Sequence, residues 1–108
     1  MAKNNILWVL EIADKILKYP KEKVGIFGVN GIGALMSCLF PDKIEFIADE
    51  DSAKQNMKFA DKKIISPKES KKEILVAFRN VLETKRIVGE LKNKYPYIDF
   101  INLCEWGK

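Results

Sequence analysis

Gly28-Val29-Asn30-Gly31-Ile32-Gly33 is the segment of this chain whose residue types and spacing best suit binding chemistry. A glycine-rich turn that opens a helix exposes backbone N–H groups, and with the helix dipole these attract a phosphate or carboxylate. Glycine matters because a side chain would hold the anion at a distance. Asp49 follows Gly28 by 21 residues. That is the interval at which an acid ending the second strand of a nucleotide-binding unit accepts hydrogen bonds from a ribose diol. The spacing here is G-x-x-G-x-G, whereas the dinucleotide fingerprint is G-x-G-x-x-G. The same glycines also suit a tight turn and close packing without a ligand, and Asp49 also suits a strand-end acid or a helix cap. Arg79 and Asn80 follow a later apolar run. Arg79 could clamp a phosphate or bridge to a surface acid, and Asn80 reads first as a helix N-cap.

Other chemistries find less support. The chain has no histidine, so the commonest general base and metal ligand is missing. Cys38 and Cys104 are the only cysteines, and reduced thiols are expected of both. Tyr19 and Lys23 have the Y-x-x-x-K spacing of short-chain reductases but precede the first strand. Asp49, Glu50 and Asp51 could hold a divalent metal with phosphates, though a run of surface acids in a loop explains them more simply. No catalytic residue and no metal site is therefore assigned, and the cofactor is left unspecified. The net charge of +4 comes from 19 basic and 15 acidic residues. Lys62, Lys63, Lys68, Lys71 and Lys72 cluster, but acids lie among them, and the pattern predicts a solvated face and no nucleic-acid partner.

The elements that would position these residues follow from hydrophobic periodicity. Residues 4–18 form an amphipathic helix, with Asn4 or Asn5 at its start and Tyr19-Pro20 at its end. Trp8 and Leu7 widen its apolar face, which could meet the sheet or another chain. Strands are expected at Val24 to Phe27, Ile44 to Ala48, Lys63 to Ile65, Ile74 to Phe78 and Ile98 to Leu103. Helices are expected over 31–40 and from Asn80 to Tyr95, with a helical turn near 53–58 and a helix start at Ser66-Pro67. Glu90 and Lys94 are spaced to pair. Strands alternating with helices predict an α/β fold. It is read as a Rossmann-like three-layer sandwich with a five-stranded parallel sheet in the order 3-2-1-4-5 and an extra N-terminal helix. The chain reads as one domain, 1–108, with helix 1–20 and core 23–103. Ligands of such sheets bind outside the carboxyl ends of the strands, where the order reverses. No apolar run reaches the length of a membrane helix and no cleavable signal is evident, so a cytoplasmic location is expected.

Residues 23–103 resemble the Rossmann-like C-terminal domain of sugar C-methyltransferases and the N-terminal domain of sugar acyltransferases. The resemblance rests on the glycine turn followed by Phe46-Ile47-Ala48-Asp49, Lys54-Gln55, Ile64-Ile65-Ser66-Pro67, Val76-Ala77-Phe78-Arg79-Asn80 and Phe100-Ile101-Asn102-Leu103. It implies a domain associated with nucleotide-sugar chemistry, with Gly28, Asn30, Asp49 and Asn80 as nucleotide or sugar contacts. The catalytic S-adenosylmethionine fold of the methyltransferases and the repeat domain of the acyltransferases have no counterpart here.

These features together predict a nucleotide- or nucleotide-sugar-binding domain, an accessory or regulatory module linked to sugar-modifying enzymes. Gly28, Asn30, Gly31, Gly33, Asp49, Arg79 and Asn80 would form its site. The competing expectation is a non-catalytic interaction or oligomerisation domain with a vestigial cleft, self-associating through the N-terminal helix. A small NAD(P)-linked oxidoreductase is a weaker third.

Overall fold

The computed structural model describes residues 2–29 and 32–107, the first four of them by backbone alone. The fold is α/β: three helices and a mixed, mostly parallel sheet of six strands. In chain order the elements are α1 (Ala2–Lys18), β1 (Val24–Phe27), α2 (Ile32–Leu39), β2 (Ile44–Ala48), β3 (Lys58–Phe59), β4 (Lys62–Ile65), β5 (Ile74–Val76), α3 (Val81–Lys94) and β6 (Phe100–Asn102).

The strand order is β3-β4-β2-β1-β5-β6, which corrects the expected five-stranded, wholly parallel sheet. The added strand is β3, antiparallel to β4, with Lys58 opposite Lys63 and Phe59 opposite Lys62. Ala60 and Asp61, between them, have φ of 51° and 61°. Positive φ at both central residues is the geometry of the tight hairpin turn that Asn-Gly usually signals, and an Ala-Asp pair gives no such signal. The turn expected near 53–58 therefore runs into a strand.

The sheet is covered on both faces. Ile12 and Ile16 of α1 and Ile32 and Met36 of α2 pack with Val24, Ile26, Ile47 and Leu75 in one buried cluster. Val88 and Leu91 of α3 pack with Phe46, Ile74, Val76 and Phe100 in the other. Parallel strands covered on both faces read as continuous apolar runs, and Ile74–Val76 is buried throughout. Gly25 lies under the Phe46 ring, where a Cβ would sit 2.2 Å from the ring.

Several boundaries shift for local reasons. α1 starts at Ala2, so Asn4 and Asn5 lie within the helix and do not cap it. Ser66-Pro67 opens only a 3-10 turn, Pro67–Glu69, with no side-chain cap bond. β5 stops at Val76, because the Phe78 N–H leaves the sheet and donates to Thr84 Oγ1 at 2.9 Å. Lys94 pairs with Glu50 at 3.1 Å, while Arg86 takes Glu90, so the expected Glu90–Lys94 pair is not formed. Among the described residues no helix is long and apolar enough to cross a membrane.

Candidate functional site: the carboxyl edge beside β1

The glycine turn is built by the strand ends around it. Gly28 adopts φ 92°, a conformation that strains residues with a side chain. Its N–H donates to Ala48 O at 2.7 Å, which extends the β1–β2 pairing by one bond. At Gly33 a Cβ would lie 1.9 Å from the Gly28 carbonyl oxygen. Only glycine lets α2 begin that close to the turn. Asn30 and Gly31 lie outside the described residues.

Asp49 belongs to the same construction. Its Oδ2 accepts from the Val29 N–H at 3.0 Å and its Oδ1 from the Asp51 N–H at 2.8 Å. Its backbone is held as well: its N–H donates to Ile65 O, and its carbonyl accepts from Gln55 Nε2. The carboxylate thus stitches the turn after β1 to the loop after β2. The neighbouring acids are also engaged. Glu50 accepts from Lys94 Nζ and Tyr95 Oη, and Asp51 accepts from the Ala53 N–H. Among the described residues no group of three or more Asp, Glu, Cys or His side chains is placed to hold a metal ion.

On the other side of β1 the edge is open. A cleft of about 430 Å³ lies between the carboxyl ends of β1 and β5 and is roofed by α1 and α2. Phe27, Ala77 and Phe78 border it from the strand ends, Trp8 and Val9 from α1, and Ile32 and Leu35 from α2, with Arg79 at the rim. Its volume is within the roughly 300–1,000 Å³ of small-molecule pockets. It also sits where the chain, having laid down β1, β2 and β4 on one side, crosses to β5 on the other. That reversal is where open α/β sheets take their ligands. Phe27 and Phe78 pack edge-to-face, ring centroids 6.4 Å apart, over the cluster beneath α3. Among the described residues the buried indole N–H of Trp8 has no hydrogen-bond partner. A buried donor left unpaired is uncommon in folded proteins.

The backbone on the β5 side is held by Thr84, fully buried on α3. Its hydroxyl accepts from the Phe78 N–H and lies 3.0 Å from Asn80 O and 3.1 Å from Phe78 O. Asn80 caps α3, its Oδ1 accepting from the Glu83 N–H at 3.0 Å.

The residues singled out in the sequence therefore separate. Gly28, Gly33 and Asp49 meet at the β1–β2 side, Arg79 borders the cleft at the β1–β5 side, and Asn80 serves the helix. Trp8, Val9 and Leu35, which line the cleft, and Thr84, which holds the Phe78 backbone beside it, lie outside the site expected from the sequence. Trp8 carried a signal, as a large aromatic on a helix face wider than the sheet needs. Thr84 carried another, as a polar residue within an apolar helical stripe.

A second cavity, of about 350 Å³, lies at the opposite, amino-terminal edge among Lys21, Lys23, Lys71, Lys72 and Glu73. Here Tyr19 Oη donates a hydrogen bond to Glu73, and Lys21 lies 3.7 Å from the same carboxylate. Burial first, and then the bond to Glu73, hold the Tyr19 phenol above its ordinary pKa. The chain's own ion pairs and hydrogen bonds occupy much of this edge, and it lacks the strand reversal's geometry. The carboxyl-edge cleft is the stronger site. Comparison of the chain with models of protein families, with curated proteins and with solved structures finds no match.

Proposed function

We propose that this chain is a Rossmann-like ligand-binding domain, with a sixth antiparallel edge strand, whose cleft beside β1 takes a nucleotide or nucleotide sugar. It acts as an accessory or regulatory module without a reaction of its own. The observation that carries this reading is the position of the cleft: an apolar recess at the carboxyl edge, at the strand reversal, beside the start of α2. A base or other flat ring would lie against Trp8 and the aliphatic wall, where stacking and burial favour it. The anionic part would lie toward the start of α2, where the helix dipole favours negative charge, and toward the Arg79 guanidinium. In this reading Gly28, Gly33 and Asp49 shape the turn that forms one lip, and Asn80 fixes the loop that forms the other.

Calorimetric titration with UDP-sugars, dTDP-sugars and NAD(H) tests it. Saturable binding to at least one class is expected, weakened by about tenfold or more in Trp8→Ala, since loss of one aromatic contact and its buried area amounts to at least ~1.4 kcal/mol. No binding to any member, or binding unchanged in Trp8→Ala, would remove the cleft as a nucleotide site.

A further inference from the structure

Eleven large hydrophobic side chains are exposed among the described residues, and six of them lie on α1 and α2: Ile6, Leu7, Leu10, Leu17, Leu35 and Leu39. The two helices lie on the same face of the sheet. Between them runs an apolar groove of about 300 Å³, lined by Ile6, Val9, Leu10 and Leu35. α2, IGALMSCL, has no charged residue. On α1 Asp14 pairs with Lys18 along the helix at 2.9 Å, while Lys15, 3.9 Å from Glu11, turns away from the stripe to donate to the Leu103 and Cys104 carbonyls. Depletion of charge at the centre with polar groups around it is the composition of an interface core and rim.

We propose that this face binds a second copy of the chain about a two-fold axis. The spacing of the stripe carries the choice of occupant. Ile6, Leu10, Ala13 and Leu17 are separated by four, three and four residues, a pattern that reads the same in both directions. An isologous interface must match itself in that way. Two antiparallel copies of α1 crossing between Leu10 and Ala13 set each Leu10 over the small Ala13 of the other copy. They also carry each Leu17 to the partner's Ile6 end, where the groove between α1 and α2 is open to receive it. Leu17 is 67% exposed, the most of the large hydrophobic residues described on α1.

The area is sufficient. The six side chains are 41–67% exposed, and at roughly 50–100 Å² apiece they offer about 300–600 Å² of apolar surface. A standard interface takes about 800 Å² from each partner, about 500 Å² of it apolar when the core is like a homodimer's. This inference does not depend on the nucleotide reading, and its test uses no ligand.

Sedimentation velocity of the whole chain, with reductant present to keep the exposed Cys38 from cross-linking, should give twice the 12.4 kDa chain mass. Because each contact occurs twice in the dimer, Leu17→Asp and Leu35→Asp should each raise its dissociation constant by about 100-fold or more. Leu82→Asp, at a 78% exposed position on α3, should leave it unchanged. Amide NMR shifts of the unsubstituted chain on dilution read the same surface without a variant, and should be confined to α1 and α2. A monomeric unsubstituted chain, a Leu17→Asp dimer as tight as that of Leu82→Asp, or dilution shifts elsewhere would overturn the proposal.

Discussion

The carboxyl end of β1 has two sides that differ in kind. Toward β2 the backbone is closed: the Gly28 and Val29 N–H groups are already donated, to Ala48 O and to the Asp49 carboxylate. Toward β5 it is open, with a recess of about 430 Å³ walled by apolar side chains. An acid at the end of a second strand can serve a ligand or the turn next to it, because both uses place hydrogen-bond donors at the same distance. Here the carboxylate faces backbone donors of its own chain. Gly28, Gly33 and Asp49, which suggest nucleotide chemistry, build the rim, and the space lies on the other side of the strand.

Changes at the two glycines that look alike in sequence should separate this construction most widely. Gly33→Ala puts a methyl group into the Gly28 carbonyl, a backbone atom that cannot step aside. A loss of about 3 kcal/mol or more is expected on urea unfolding. Gly89→Ala meets nothing within 4 Å in the interior of α3 and should stabilise by about 0.5–1 kcal/mol. Equal effects would mean that the turn does not hold α2 against β1.

Asp49→Ala comes next. Removing the carboxylate leaves the Val29 N–H without its acceptor, and a partly buried donor so orphaned costs about 1–3 kcal/mol. If Asp49 serves the turn, the affinity of the folded variant for a nucleotide should change far less than that of Trp8→Ala. A variant of full stability that no longer binds would reverse the roles given to the two sides.

How much of this was legible follows the same division. The run from β1 through the glycine turn to β2 can be read directly, because apolar strands, small helix residues and a strand-end acid are local signals. β3 could not be read, since Ala60-Asp61 adopts a left-handed turn without the residues that favour one. The end of β5 depends on Thr84, whose hydroxyl draws the Phe78 N–H out of the sheet, and no local pattern shows which backbone group a buried threonine will take. The cleft was hidden because it needs residues from four separate elements. Trp8 and Val9 reach it only once α1 has packed beside α2.

The amino edge supplies the smallest effect and a reference for both sides. The folded-state pKa of Tyr19 is raised by burial and by the bond to Glu73. The unfolded chain therefore loses this proton first as pH rises past the ordinary tyrosine value of about 10. Stability carried by the protonated phenol is fully present below that pH and declines above it. Tyr19→Phe should flatten this alkaline decline and leave the carboxyl-edge cleft unaffected, as read by unfolding across the alkaline range. An unchanged pH slope would mean that another group sets it.

Whether the open side of β1 receives the ligand is read most directly by titrating the isotopically labelled chain with the tightest-binding nucleotide or nucleotide sugar and following its amide and indole signals. Shifts centred on the Trp8 indole N–H, Phe78 and Arg79, with the Asp49 and Asp51 amides little moved, are expected. Shifts centred on Asp49 to Asp51 with Trp8 silent would put the ligand on the closed side and contradict the assignment.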